Sequence, residues 1–308
     1  MLVTEDLLAD LSIPHDRDVP LGPRTWFGIG GSARILARPR SVAQLSELVK
    51  RCRREEVPVY VLGAGANLLV ADEGVNGVVV TLDDDAFKQC EYRGNLVTVG
   101  AGYHLFKLIN ETVTRGLAGL EVLAGVPATV GGAIRMNAGG AFGDIGRVVR
   151  SVTLMDSAGE TFTRSRDELV FNYRSTNIDA RFILDATLEL SPQPATEVAA
   201  HYKQIMMKKQ ATQPLAAHSA GCTFKNPPPD PATNEPRPAG KLIDQAGLKG
   251  ARVGGAMISH QHANFIECDK NRCTATDVIR LIEHVETVVL AKSGIALQRE
   301  VVIWPGEH

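Results

Sequence analysis

The amino-acid sequence predicts an α+β protein, on three observations. Helix-spaced and strand-like stretches are mixed without the strict alternation of a parallel α/β sheet. No period of 20–50 residues recurs, which argues against a solenoid. The clearest turn signal, Ser157-Ala158-Gly159, joins two strand-like runs as a hairpin.

The elements follow in chain order. Ser41 reads as a helix N-cap, with Gln44 three residues on in a capping-box pattern. Val42, Leu45, Leu48, Val49 and Cys52 then recur at helical spacing. Pro58 precedes a short strand, Val59–Leu62, that runs into a glycine loop. Further strands are expected at Gly77–Leu82, Leu96–Gly100, Ser151–Asp156, Glu160–Arg164 and Phe182–Leu190, with a helix over Leu105–Arg115 stopped by Gly116. Ser191-Pro192-Gln193-Pro194 reads as a linker, followed by a basic helix over Glu197–Gln210 whose lysine pair suits a solvated face. Pro227–Pro238 holds too many prolines for regular structure and reads as an exposed loop. Thr276–Lys292 is the clearest helix, with Val278, Leu281, Ile282, Val285, Val288 and Val289 in one stripe and Gly294 as its stop. A strand over Leu297–Trp304 completes the reading.

Composition bounds the function. With 308 residues, 44% of them apolar, the chain has room for about two domains and a sizeable core. Lys plus Arg total 33 against 35 acids, so no basic surplus points to nucleic acid. No apolar run approaches the ~20 residues of a membrane span, and the first residues carry acids where a secretory signal carries basic ones. A cytoplasmic protein without a nucleic-acid or membrane partner is expected. The five cysteines are an odd, scattered set with no CxxC pair, which suits reduced thiols better than a disulfide framework.

Glycine clusters at Phe27–Gly31, Gly63–Asn67 and Gly125–Gly143 mark the places where backbone turns tightly or approaches a ligand. Gly63-Ala64-Gly65-Ala66-Asn67, entered from a strand, can present successive N–H groups as an anion nest. It lacks the third glycine of a Rossmann fingerprint and the Gly-Lys-Ser/Thr ending of a P-loop. Gly131-Gly132-Ala133 with Asn137–Gly140 reads as a second loop of the same kind. Cys222 sits among small residues with Lys225 and Asn226 close by, an arrangement open to a proton-donating thiol or to a half-buried structural cysteine. Arg174 offers a guanidinium fork for carboxylate or enolate oxygens, or an ordinary surface charge. Glu300 lies in a strand-like stretch, as an acid or an outward polar position. His260, His262, Cys268 and Cys273 match no common zinc spacing and read as turn and strand residues, so no metal is expected.

Seven stretches together resemble one family. TWFGIGGSA (Thr25–Ala33), VLGAGANLLV (Val61–Val70), GVPATVGGAIRMNAGG (Gly125–Gly140), FNYRST (Phe171–Thr176), SAGCTFKNP (Ser219–Pro227), AGKLIDQAGLKG (Ala239–Gly250) and LQREVV (Leu297–Val302) occur in the order found in the UDP-N-acetylenolpyruvoylglucosamine reductases (MurB) of peptidoglycan synthesis. The resemblance runs from about Arg24 to Ile303 and fits the family's shorter form, because residues 191–218 leave no space for the longer form's tyrosine-bearing loop.

That resemblance implies an FAD-binding domain of two α+β subdomains of the vanillyl-alcohol-oxidase (PCMH) type, followed by a smaller α+β substrate domain. The expected segments are 1–75 together with the strand at 297–308, then 76–192, then 196–296. It implies non-covalent FAD, with NADPH as hydride donor, and UDP-N-acetylglucosamine enolpyruvate as substrate. Flavin N5 would pass hydride to the enolpyruvyl C3 and an acid would protonate C2. By motif position, Cys222 takes the proton-donor role often held by serine, Arg174 stabilises the developing enolate, and Glu300 is the catalytic glutamate. Cofactor contacts are expected from Gly63, Ala64, Gly65, Ala66, Asn67 and Leu68; from Gly125, Val126, Pro127, Ala128 and Thr129; and from Gly131, Gly132, Ala133, Asn137, Ala138 and Gly139. Tyr173, Lys225, Asn226, Lys241, Gln245, Lys249 and Gln261 are the expected UDP-sugar contacts. Ala66 and Ala128 depart from the family's usual serine and glycine, and the second would be awkward only if its backbone needs positive φ. A monomer or weak oligomer is expected. Two other readings stay open: an FAD-dependent oxidase of the same superfamily, and a non-catalytic FAD or UDP-sugar module.

Overall fold

The computed structural model describes residues 7–214, 218–269 and 271–305. By internal contacts the chain forms two units, one of residues 1–19, 33–64 and 76–208, the other of residues 20–32, 65–75 and 209–308. The chain crosses between them several times. Positions 1–6 and 306–308 of the expected first subdomain lie outside the described residues.

The first unit carries two sheets over one core. A four-stranded sheet has the order His15–Pro20, Ser32–Ala37, Val75–Val80, Val59–Val61, the last two strands being parallel. Helix α1 (Val42–Arg54) buries Leu45, Leu48, Val49 and Cys52, the stripe its spacing predicts. Its start is pinned by Ser41, whose Oγ accepts from Gln44 N at 3.2 Å, while Gln44 Oε1 reaches back to Arg40 N at 2.7 Å. A five-stranded antiparallel sheet follows, in the order Thr161–Ser165, Val149–Met155, Phe182–Glu189, Leu96–Gly100, Cys90–Arg93. Its hairpin turns where expected, because the Asp156 carboxylate accepts from the N–H groups of Ala158 and Glu160 at 2.8 and 3.0 Å. Helix α2 (Leu105–Thr114) and the short α3 (Val130–Arg135) join this core, and α4 (Ala195–Thr212) packs on it through Tyr202.

The second unit has its own core, built on α6 (Ala275–Ser293) and α5 (Ala239–Gln245) with Phe27, Ile29, Leu69 and Phe224. A three-stranded sheet of Arg252–Val253, Ala256–Ile258 and Ile266–Cys268 packs with them. The N-terminus of α6 is capped twice. Thr274 and Asp277 form a capping box, and Asp72 accepts from Ala275 N, Thr276 N and the Thr276 hydroxyl at 2.7–2.9 Å.

One expected strand is broken in two. Gln298–Arg299 pairs antiparallel with Phe224–Lys225, and Val302–Trp304 pairs parallel with Leu68–Val70. Glu300 and Val301 form the crossing between the two ladders, their N–H groups both reaching Thr223 O, at 2.8 and 3.3 Å. Hydrophobic alternation does not reveal this, since both halves alternate alike. Gly131–Ala133 also departs from expectation: it lies in α3, not in a second glycine loop. Thr129 starts the helix by accepting from Gly132 N at 3.3 Å. Among the described residues no helix is long and apolar enough to cross a membrane.

Candidate active site

The Gly63–Leu68 loop leaves the Val59–Val61 strand and enters the Leu68–Val70 strand. Gly65 stands at φ 63, and a Cβ there would lie 2.1 Å from Arg24 O, so only glycine fits the turn. Among the described residues, the N–H groups of Gly63, Ala64, Gly65 and Ala66 donate to no protein acceptor. Four adjacent donors left over are what an anion nest requires. The second glycine stretch is different: Val130 N and Gly131 N are spent on Tyr103 O and Ala101 O, both at 2.9 Å. Ala128 has no left-handed φ, so its replacement of glycine is conformationally free, and its carbonyl accepts from Leu105 N at 2.9 Å.

Within the first unit a cavity of about 120 Å³ lies between Gly63 and the Thr129–Gly132 turn, with Arg135 and Arg181 in its wall. That is below the ~300–1,000 Å³ that encloses a whole small ligand, so it suits one polar segment of a larger molecule. Arg135 donates to the carbonyls of Ile178, Ala180 and Arg181, and Arg181 to Val59 O. Neither guanidinium is bonded to a carboxylate among the described residues. Burial, and then repulsion from Arg181, pulls the Arg135 pKa below its usual value, a cost that an anion in the cavity would relieve. Charge, donors and size together fit the diphosphate of a dinucleotide. Sequence reading missed both arginines, since an isolated arginine carries no local signal of burial.

Arg174 is the second turn residue of a two-residue hairpin, between Phe171–Asn172 and Ser175–Thr176. Its φ of 55 is left-handed, a conformation unusual for a non-glycine residue. Its guanidinium lies 5.1 Å from the ring centre of Tyr173, which is 52% exposed.

In the second unit, Cys222 and Glu300 flank one pair of strands, Phe224–Lys225 and Gln298–Arg299. Cys222 makes an antiparallel bridge with Phe265, and Thr223, the next residue, accepts from Glu300 N. Asn67 completes the arrangement: its Nδ2 donates to Glu300 O at 2.9 Å and its own carbonyl accepts from Val302 N at 3.0 Å. The crossing that carries Glu300 is therefore held on both sides by one residue of the glycine loop. Asn264, 3% exposed, holds the neighbouring segment. Its Oδ1 accepts from Phe224 N at 2.9 Å and its Nδ2 donates to Phe224 O at 2.8 Å, so the carboxamide acts as one more strand beside Phe224–Lys225. Ser219 Oγ is buried without a hydrogen-bond partner among the described residues, a cost of ~1–3 kcal/mol unless a ligand or water completes it. Neither Asn264 nor Ser219 was singled out from sequence.

The remaining expected contacts fall in both units. Lys225 lies in the Phe224–Lys225 strand and Asn226 accepts from Ala239 N at 2.9 Å. Lys241 and Gln245 belong to α5, Lys249 pairs with Asp244 at 2.8 Å, and Gln261 reaches Gln210 O at 3.5 Å. Leu68 opens its strand; Gly125–Thr129 link a short 3-10 turn to α3, and Asn137, Ala138 and Gly139 follow α3. His262 packs edge-on against Phe265 while Cys268 and Cys273 are buried, and no three His, Cys, Asp or Glu side chains group as metal ligands among the described residues.

A family model for the C-terminal domain of UDP-N-acetylenolpyruvoylglucosamine reductase matches residues 213–304, and one for an FAD binding domain matches residues 33–165. UDP-N-acetylenolpyruvoylglucosamine reductase 2 of Symbiobacterium thermophilum is 40% identical over 290 residues, covering 94% of this chain and 91% of its own length. The Bradyrhizobium sp. reductase is 36% identical over 303 residues, 97% of this chain and 96% of its own. The crystal structure of UDP-N-acetylenolpyruvylglucosamine reductase (MurB) from Thermus caldophilus superposes with a TM-score of 0.79 at 35% identity, over 95% of this chain and 99% of that one. Likeness over nearly the full length of each partner, in sequence and in fold, means that this chain belongs to the UDP-N-acetylenolpyruvoylglucosamine reductase family.

Proposed function

We propose that this protein is a flavoenzyme of peptidoglycan synthesis, reducing the enolpyruvyl group of UDP-N-acetylglucosamine enolpyruvate to give UDP-N-acetylmuramate at the expense of NADPH, in the cytoplasm. The observation that carries the reading is the hydrogen bond from Glu300 N to Thr223 O, which ties Glu300 to the neighbour of Cys222 although the two stretches lie far apart in sequence. When bound, FAD supplies a two-electron relay between NADPH and the substrate double bond.

The residues divide the work around that relay. The free N–H groups of Gly63 and Ala64, with Arg135 and Arg181, would hold the cofactor's diphosphate, assisted by Gly125–Thr129, Gly131–Ala133, Ala138 and Gly139, and Gly65, Ala66, Asn67 and Leu68 are further contacts for the cofactor. As the double bond is reduced, negative charge develops on C2 and its carboxylate. Arg174 is the cation for that charge, fixed in place before the charge appears. Cys222 then delivers its thiol proton to C2, and Glu300 assists polarisation and proton management. Lys225, Asn226, Lys241, Gln245, Lys249, Gln261 and Tyr173 are the contacts for the UDP-sugar. The segments 1–75, 76–192 and 196–296 take the roles of two FAD subdomains and a substrate domain.

Anaerobic stopped-flow tests the whole. The purified protein should be yellow, bleach on NADPH, and recover its colour when the enolpyruvyl UDP-sugar is added. A colourless protein that takes up no FAD, or a reduced flavin that only oxygen restores, would overturn the reading. Bleaching by a small alcohol would point to an oxidase instead.

A further inference from the structure

Asn137 follows α3, is 4% exposed, and has a left-handed φ of 42. Both polar atoms of its side chain are committed within the protein. Nδ2 donates to Asn172 O at 2.9 Å, and Oδ1 accepts from Gly146 N at 3.0 Å. Asn172 pairs with Ser175, and between those two residues lie only Tyr173 and Arg174. The buried carboxamide therefore grips the base of the hairpin that presents Arg174.

Other ties act on the same hairpin. Phe171 packs so closely on Gly146 that a Cβ there would sit 2.4 Å from the ring, so the residue bonded to Asn137 Oδ1 is also the floor under the hairpin. Thr176 Oγ1 donates to Arg135 O at 3.4 Å, and Arg135 in turn holds the carbonyls of Ile178, Ala180 and Arg181 just beyond the hairpin. A non-glycine residue stays in left-handed backbone only where its surroundings over-determine it. Arg174 at φ 55 is such a residue.

We infer that Asn137 is a positioning residue: its side chain serves Arg174, not the cofactor. The inference rests on the role for Arg174 proposed above. If that guanidinium is to meet charge developing on the substrate, the turn beneath it must not drift, because a misplacement of about 1 Å costs on the order of 100-fold in rate.

Asn137→Asp removes the donor to Asn172 O and retains an acceptor for Gly146 N. The test measures two half-reactions of the FAD-loaded enzyme, bleaching by NADPH and reoxidation by the enolpyruvyl UDP-sugar, in parent, N137D, Arg174→Ala and the double variant. The expected result is bleaching within about threefold of the parent, with FAD retained, and reoxidation slowed roughly 10–100-fold. In the R174A background N137D should add less than about threefold, because residues acting as one unit are not additive. Multiplying effects in the double variant would overturn the inference, as would FAD loss or slowed bleaching in step with reoxidation, which would make Asn137 a cofactor residue. If R174A itself leaves reoxidation intact, the role of Arg174 fails and the inference falls with it; a slow R174A beside a normal N137D overturns the inference alone. Thr176→Val, which cuts the tie to Arg135 O, carries the same comparison with a smaller expected slowing if N137D yields no folded protein.

Discussion

Replacing Asn264 by alanine tests whether a single carboxamide can stand in for a strand. In the parent it satisfies both backbone groups of Phe224, at 2.9 and 2.8 Å, in a setting where Asn264 is 3% exposed and Phe224 1%. On the other side of that short strand, Thr223 O is already taken by Glu300 and Val301. Truncation therefore strands one N–H and one C=O in the interior. Each such group costs ~1–3 kcal/mol, and partial entry of water brings the pair to about 3 kcal/mol. At ~2–4 °C per kcal/mol for a protein region of this size, the melting temperature should fall by roughly 6–12 °C. Thermal unfolding of the FAD-free protein, followed by far-UV circular dichroism, measures it without interference from cofactor binding. A fall below about 2 °C would mean that Phe224 finds other partners and that the surrogate-strand argument is wrong.

Three further outcomes are expected. Cys222→Ser should retain turnover, whereas Cys222→Ala should lose most of it yet still bleach with NADPH; equal loss of both half-reactions in stopped-flow would refute the proton-donor role. Gly65→Ala sets a Cβ 2.1 Å from Arg24 O in left-handed backbone and should weaken FAD binding at least about tenfold by fluorescence titration; unchanged affinity would refute the nest. Burial raises the Asp72 pKa, but the bonds from the Thr276 hydroxyl and from the N–H groups of Thr276 and Ala275 outweigh it, so the carboxyl ends below its ordinary value. A depressed folded pKa gives stability that is present above the unfolded value near ~3.9 and is lost as pH falls through the folded one. Asp72→Asn removes the charge and one of the two acceptor oxygens and should thus cost about 1 kcal/mol at neutral pH, with the gap to the parent in urea melts closing as the pH drops below about 4; a gap that widens in acid would refute the capping role.

Much of the fold is legible in the sequence because it depends on local chemistry. The stripe of α6, the Ser41 cap and the Asp156 hairpin turn all follow from residues a few positions apart, and the helices end near where their glycine stops predict. The site is less legible wherever a residue acts on a distant partner. Glu300 sits at a break, and nothing in LQREVV marks the change from an antiparallel to a parallel partner. Asn67 could be read as part of a glycine loop, but not as the group holding Glu300, which is 233 positions away. Gly131 and Gly132 weigh against a helix by propensity, and tertiary packing with the Thr129 cap outweighs them. Arg135, Asn137 and Asn264 draw their importance from burial, a property of the folded chain.

The parallel pairing of Val302–Trp304 with Leu68–Val70 sets an order of events during synthesis. When residue 208 leaves the ribosome, the first unit is complete in sequence, but Phe27, Ile29 and Leu69 still await the core they share with Val278, Leu281 and Phe224. At about 5–20 residues per second the remaining hundred or so residues take roughly 5–20 s to appear. During that interval a nascent chain offers chaperones an apolar surface that the finished protein conceals, and the loop that ends at Asn67 has no Glu300 to hold.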